Sequence, residues 1–367
     1  MAAFRAHSPD YTLFIVTGIL VLVGIFMIAS ASPIIGETRF GEVYFFLKNQ
    51  LLGAGIGAVA FLAGWRIPFA FWKRMAPLIL ITSLFLMALV FIPGIGLELK
   101  GAARWIELGP ITVQPSEIMK LAFVVYIAAW LEAKQKDVKK FSTGFLPFLI
   151  LLSIVSLLFI LQPDIGTLGV LTITATLLFF AGGGKLAQIG ILCLIGIVGL
   201  WMIVLLQPYR LDRIAVFLKP TQDIQGIGYQ LNQSLIAIGS GGFWGKGFGM
   251  SQQKFFYLPE PTGDSIFAVF GEEFGFIGST ILIILFLVFS WRGIRIANRA
   301  PNLFGSYLAV GITLLIVIQA FINMAAISGL VPLTGLPLSF ISYGSSALVT
   351  NLAAVGILMN ISKYTRI

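Results

Sequence analysis

The chain has 367 residues, 58% of them hydrophobic and only 11% charged, with 24 Lys and Arg against 15 Asp and Glu. A mean hydropathy of +0.98 excludes a single soluble core and indicates a multi-span membrane protein. The net charge of +9 would suggest a nucleic-acid partner on a soluble chain, but here the basic residues follow the topology, and no nucleic acid is expected.

Apolar stretches able to cross about 30 Å of hydrocarbon at roughly 20 residues each fall near 12–32, 45–64, 75–92, 115–133, 143–161, 164–182, 186–206, 265–290, 303–325 and 345–361. They predict an all-α integral membrane protein with ten transmembrane helices, read as a single domain over 1–367. Both termini then lie on one side. Placing that side in the cytoplasm puts 14 of the 24 Lys and Arg there, Lys134, Lys136, Lys139 and Lys140 among them, as the positive-inside rule requires. The first stretch ends in "IASAS" before Pro33; it is expected to be a retained helix rather than a cleaved leader. Cys193 is the single cysteine, and His7, the only histidine, lies in the cytoplasmic tail. An acid or base on the outer face must therefore come from a residue other than histidine, and a histidine-ligated metal site is excluded there.

Ionisable residues inside spans cost roughly 2.5 to 3.5 kcal/mol each on insertion scales, so each is a functional candidate. Lys48, near the outer end of the second span, either snorkels or serves a site. In "QPSEIMK", Pro115 suits a first helical turn, and Glu117 and Lys120, three apart, share a face. They form either a self-neutralising structural pair or the polar wall of a cavity. In "LQPDIGT", Asp164 occupies a tight outer turn, where an N-cap role is the ordinary explanation. The large outer loop between helices 7 and 8, 207–263, opens with "PYRLDR". Arg210 and Arg213 there stand three apart, as a phosphate clamp or as headgroup anchors. "GYQLNQSLIAIGSGG" predicts a short interfacial helix beginning after Gly228. "GSGGFWGKGFG" lacks the context of a phosphate-binding loop and reads as a glycine cluster at a close packing point. The loop ends in "LPEPTGDSIFAVFGEE". Asp264 there suits either a helix N-cap or a general base, whereas Glu272 and Glu273 lie about 12 to 13 Å further along the helix and read as interior polar anchors.

Five segments, "KGAARWIELGPITVQPSEIMK", "QPDIGT", "RLDRIAVFLKPTQDIQGIGYQLNQSLIAIGSGGFWGKGFG", "QKFFYLPEPTGDSIFAVFGEEFGFIG" and "GLVPLTGLPLSFISYGSS", occur in an order and on a face that resemble the SEDS family of cell-wall polymerases, with its FtsW and RodA branches. The resemblance runs from about residue 12 to 361 and is closer to the FtsW branch. It implies a peptidoglycan glycosyltransferase of the bacterial cytoplasmic membrane that polymerises lipid II at the outer face, in division or elongation. It also implies Asp264 as the essential aspartate, Trp105 as the aromatic of the first outer motif, and Glu117 and Lys120 as cavity residues. The family's histidine ahead of the aspartate is absent here, where Thr262 and Gly263 precede Asp264.

Such a reaction needs a base for the acceptor hydroxyl, cations for the leaving pyrophosphate and apolar grooves for polyprenyl tails. Asp264 is the expected base. Arg210 and Arg213 are the expected pyrophosphate ligands, helped by Lys120 or a divalent cation (Mg or Mn), with Arg104, Trp105 and Asp164 lining the substrate site. No organic cofactor is expected. The expected partners are lipid II, the nascent glycan strand, a class B penicillin-binding protein (a transpeptidase) and other divisome or elongasome membrane proteins. The rival readings are a lipid II flippase and a non-catalytic scaffold.

Overall fold

The computed structural model describes residues 7–99, 102–108, 111–205, 213, 216–217, 226, 228–255 and 257–365. The helices are α1 (Tyr11–Ala31), α2 (Pro33–Phe40), α3 (Phe45–Arg66), α4 (Phe69–Leu89), α5 (Pro115–Ala133), α6 (Leu146–Leu161, entered through a π-helical turn at Phe141–Phe145), α7 (Ile165–Ala181), α8 (Leu186–Leu205), α9 (Tyr229–Ser240), α10 (Ile266–Asn298), α11 (Leu303–Ile327) and α12 (Ser345–Ser362). Among the described residues seven segments are long and apolar enough to cross a membrane: α1, α3, α4, Phe141–Leu161, α10, α11 and α12. The apolar α7 and the Leu186–Met202 part of α8 are shorter, and the 19-residue α5 carries three charges, Glu117, Lys120 and Glu132. The chain is thus an all-α multi-span membrane protein. Each apolar stretch of the sequence lies on a helix, with shifted ends: α4 starts at Phe69 and so includes Lys73 and Arg74, and α10 runs on to Asn298.

The helix starts follow local chemistry. Asp10 caps α1 by accepting from the Leu13 amide at 3.0 Å, Asn302 caps α11 by accepting from Gly305 at 2.8 Å, and Pro115 opens α5, where a missing amide costs nothing. The most enclosed helices are α11 and α12. Their packing depends on small residues. A Cβ on Gly57 or Gly64 of α3 would stand 2.6 Å from Leu352 and 2.8 Å from the Ala353 carbonyl of α12, the close approach by which helices associate in lipid without a hydrophobic driving force.

Not foreseen from sequence is a small antiparallel sheet between α4 and α5, ordered β1 (Gly96–Leu99), β2 (Ala102–Leu108) and β3 (Ile111–Val113). Leu97 pairs with Trp105 and Ile106 with Val113. Ser346 of α12 ties this sheet to the bundle, donating to the Thr112 carbonyl at 3.2 Å and accepting from the Gln114 amide at 3.1 Å.

At 33 residues α10 is about 50 Å long by helical rise, and it is broken at Gly275, whose φ of 64° and ψ of −161° are not helical. The break frees the carbonyls of Glu272 and Glu273 and the amides of Phe276 and Ile277. All four are paired again by the glycine-rich loop: Lys246 and Gly247 donate to the two carbonyls at 3.0 Å each, and Gly242 and Phe243 accept from the two amides at 2.9 and 3.2 Å. Backbone at membrane depth requires such pairing. A Cβ on Gly275 would lie 2.3 Å from the Gly245 nitrogen, so Gly275→Ala combines a left-handed φ with a backbone clash. It is expected to lower stability by about 3 kcal/mol or more, read as loss of the thermal unfolding transition or of monodisperse protein in detergent.

Candidate functional site

The carboxylates at and near the start of α10 have separate surroundings. Glu272 is fully buried, pairs with Lys246 at 2.7 Å, and accepts from Ser251 Oγ at 2.5 Å and from the amides of Gln252 and Gln253 at 3.1 and 3.2 Å. Glu273 pairs with Lys254 at 2.9 Å and accepts from Ser30 Oγ at 2.6 Å. The two hold residues 246–254 against α10 and α1, as interior anchors. Their counter-ions Lys246 and Lys254 were not anticipated.

Asp264 lies one residue ahead of the helix cap. The N-cap position belongs to Ser265, so capping does not account for this aspartate. Its carboxylate is half-buried and accepts from Gln230 Nε2 of α9 at 3.2 Å, an amide that also reaches Ser265 Oγ at 3.1 Å. The turn carrying it is braced by the segment between α11 and α12. Ser342 Oγ donates to the Gly263 carbonyl at 2.7 Å, and the Tyr343 amide to Thr262 at 2.8 Å. Burial pushes the Tyr343 phenol up despite a hydrogen bond with Asn49 that opposes the shift, so this group is neutral at neutral pH.

The extended segment 332–338 is the floor of the site. Gly335 has a φ of 68°, and a Cβ there would meet Asp264 Oδ2 at 3.8 Å and Arg213 Nη1 at 4.0 Å. The carboxylate and guanidinium therefore stand no more than 7.8 Å apart across a glycine. Arg213 is fixed by donating to the Leu333 carbonyl at 3.0 Å. Arg210 lies outside the described residues. On the other side Asp164 caps α7, accepting from Thr167 at 3.4 Å, and is 7% exposed. A Cβ on the neighbouring Gly166 would stand 2.7 Å from the Thr334 carbonyl. The N-terminus of α7, the 333–336 segment, Arg213 and Asp264 thus converge at one end of the bundle.

Two amides on α11, missed in sequence, hold this floor from below. Asn323 Nδ2 donates to the carbonyls of Asp264 and Leu336 at 2.8 and 2.7 Å, and Gln319, one turn away, donates to Pro337 at 3.0 Å. Gln319 in turn accepts from Lys120 Nζ at 2.6 Å, and Lys120 pairs with Glu117 at 2.9 Å, both side chains being 2% exposed. Glu117 and Lys120 are thereby linked through Gln319 to the 336–337 backbone, which Asn323 ties to the main-chain carbonyl of Asp264. Two amides four residues apart in the apolar run "IQAFINMAA" were the available signal. Asn323→Leu removes the donor shared by two inward-facing carbonyls and is expected to cost about 1 to 3 kcal/mol of stability and to lower activity through displaced Asp264. Thermal unfolding and turnover measured side by side check it.

Arg104 is occupied elsewhere, donating to the carbonyls of Gln162 and Pro163 at 2.9 and 2.5 Å. From the sheet it secures the α6–α7 turn that presents Asp164. Trp105 is half-buried on β2 opposite Leu97. Lys48 pairs with Glu42 near the protein surface, and Glu132 with Lys73 at 2.6 Å. Among the described residues no three His, Cys, Asp or Glu side chains gather as a metal cluster would.

Residues 10–367 match the FtsW, RodA and SpoVE family, described as cell cycle proteins. The chain is 45% identical over 362 residues to stage V sporulation protein E of Bacillus subtilis, covering 99% of both chains. It is 43% identical over 359 residues to a protein of Trichlorobacter lovleyi named "Probable peptidoglycan glycosyltransferase FtsW", covering 98% of this chain and 94% of that one. Its fold is similar to a chain in a solved structure described as "Structural coordination of polymerization and crosslinking by a peptidoglycan synthase complex", with a TM-score of 0.78 and 25% identity over 96% of this chain and 97% of the other.

Proposed function

This chain belongs to the FtsW, RodA and SpoVE family of cell cycle proteins, and we propose from that premise that it is a peptidoglycan glycosyltransferase that polymerises lipid II. The whole chain acts as one domain of ten spans in the bacterial cytoplasmic membrane, with both termini in the cytoplasm and the Asp264 face outside. The observation that carries the reading is the placement of a carboxylate and a guanidinium within 7.8 Å across a side-chain-free glycine.

The acceptor's 4-hydroxyl oxygen forms a bond to the anomeric carbon of the donor sugar as the bond to polyprenyl pyrophosphate breaks. Asp264 takes the hydroxyl proton. Arg213, with Arg210, offsets charge growing on the departing pyrophosphate. Asp164 and Trp105 line the substrate site and Arg104 positions it. Glu117 and Lys120 support the floor through Gln319. A divalent cation such as Mg or Mn fits beside Asp264 if the substrate's phosphate oxygens supply most of its ligands, since among the described residues no carboxylate cluster stands there.

The relatives include FtsW proteins, in keeping with the FtsW-like segments, and also a sporulation protein, a branch the sequence did not raise. A class B penicillin-binding protein is the proposed partner, with other divisome or elongasome membrane proteins. The structural likeness to a chain from a synthase complex that couples polymerization and crosslinking supports this. The test is purified protein with fluorescent lipid II, with and without that transpeptidase. Glycan ladders support the proposal, whereas lipid II scrambling in liposomes without polymer would replace it with a flippase.

A further inference from the structure

At the end of the bundle opposite Asp264, the chain before α1 and the ends of α10 and α12 line an open cavity of about 380 Å³. Its charge is one-sided. Arg292 and Arg295, three apart on α10, and Arg299, at its C-cap, all line it, together with His7. Asp10 is the one carboxylate lining it among the described residues. That carboxylate is already engaged: its oxygens accept from Arg292 Nε at 3.0 and 2.8 Å and from the Leu13 amide at 3.0 Å. Arg295 and Arg299 have no carboxylate within ion-pair distance among the described residues.

The C-terminal dipole of α10 accounts for about half a charge, which leaves more than one positive charge uncompensated in a concave site. Half-buried Arg295 stacks over Trp291 at 5.7 Å. Trp291 is largely exposed, and an exposed indole at the end of an apolar helix marks the level of lipid headgroups. The cavity therefore sits where a phosphate can enter from the membrane surface or from water, with guanidinium forks shaped for bidentate contact.

We propose that this cavity binds a phosphate-bearing ligand between Arg295 and Arg299. Its source is either the headgroup of an anionic lipid or a free phosphate. The site is remote from the polymerisation chemistry and does not depend on the function proposed above.

The experiment uses the full chain in nanodiscs of phosphatidylcholine containing a minor fraction of phosphatidylglycerol, with native mass spectrometry counting retained lipid. A second arm titrates inorganic phosphate into protein in pure phosphatidylcholine nanodiscs. Arg295→Ala/Arg299→Ala is expected to weaken the bound species about tenfold or more, and Arg295→Lys/Arg299→Lys to weaken it less. Lys139→Ala/Lys185→Ala removes two charges from the same end and serves as the control for diffuse attraction. Selective retention of phosphatidylglycerol identifies the lipid source, and saturable phosphate binding alone identifies the free one. The proposal is overturned if neither binds, or if the control variant loses as much as the arginine variant. Thermal unfolding of each variant separates loss of ligand from loss of fold.

Discussion

Asp264→Asn is expected to slow glycan polymerisation by about 10²- to 10⁴-fold, the contribution of a positioned general base, with no change in thermal unfolding. Asparagine has the same shape and keeps an oxygen for Gln230, which donates to Asp264 Oδ2 at 3.2 Å. The backbone carbonyl held by Asn323 is untouched. The negative charge and with it the ability to take a proton are lost. Ladder formation within threefold of the parent enzyme would remove Asp264 from the reaction, since no histidine is available to replace it: His7 is the only one and lies at the opposite end, against Thr365.

A large effect on stability is expected at Lys120. Its ammonium and the Glu117 carboxylate are both 2% exposed and 2.9 Å apart. Removing one member of such a pair leaves an uncompensated buried charge, which costs about 3 to 5 kcal/mol, whereas replacing both with neutral groups of similar volume is often tolerated. Lys120→Met should therefore accumulate poorly and unfold early, and Glu117→Gln/Lys120→Met should regain most of the loss. The double variant also separates the two readings of the pair. If it folds and polymerises, the pair supports the floor through Gln319. If it folds and is inactive, Lys120 acts on the substrate.

The helices were legible because membrane spans are written in composition, which needs no long-range information. Asp10 and Asp164 cap their helices through amides three residues on, and Pro115 opens α5 at its first position, so these starts depend on local sequence alone. Asp264 stood out as a carboxylate at the base of a long loop, although the N-cap position is that of Ser265. What was hidden depends on partners far away in sequence. A glycine in an apolar run is ordinary in membrane helices, and the break at Gly275 becomes visible only with the loop some 30 residues upstream that repairs its hydrogen bonds. Likewise Lys246 and Lys254 read as loop charges until Glu272 and Glu273 face them. The sheet of residues 96–113 gave little signal because its three strands have only four, seven and three residues. Gln319 and Asn323 were readable and were passed over.

The break in α10 also bears on biogenesis. Ile266–Phe274 cannot join Phe276–Asn298 as one uninterrupted rod, so the hydrophobic segment that enters the bilayer on its own backbone bonds is the later one. The loop that completes the pairing, 242–247, leaves the ribosome earlier than Gly275. Its share of the pairing must therefore wait until the helix arrives. Insertion of the later segment and pairing of the glycine-rich loop are then coupled, and a chain whose α10 inserts in the wrong register leaves four backbone groups at the break without their partners.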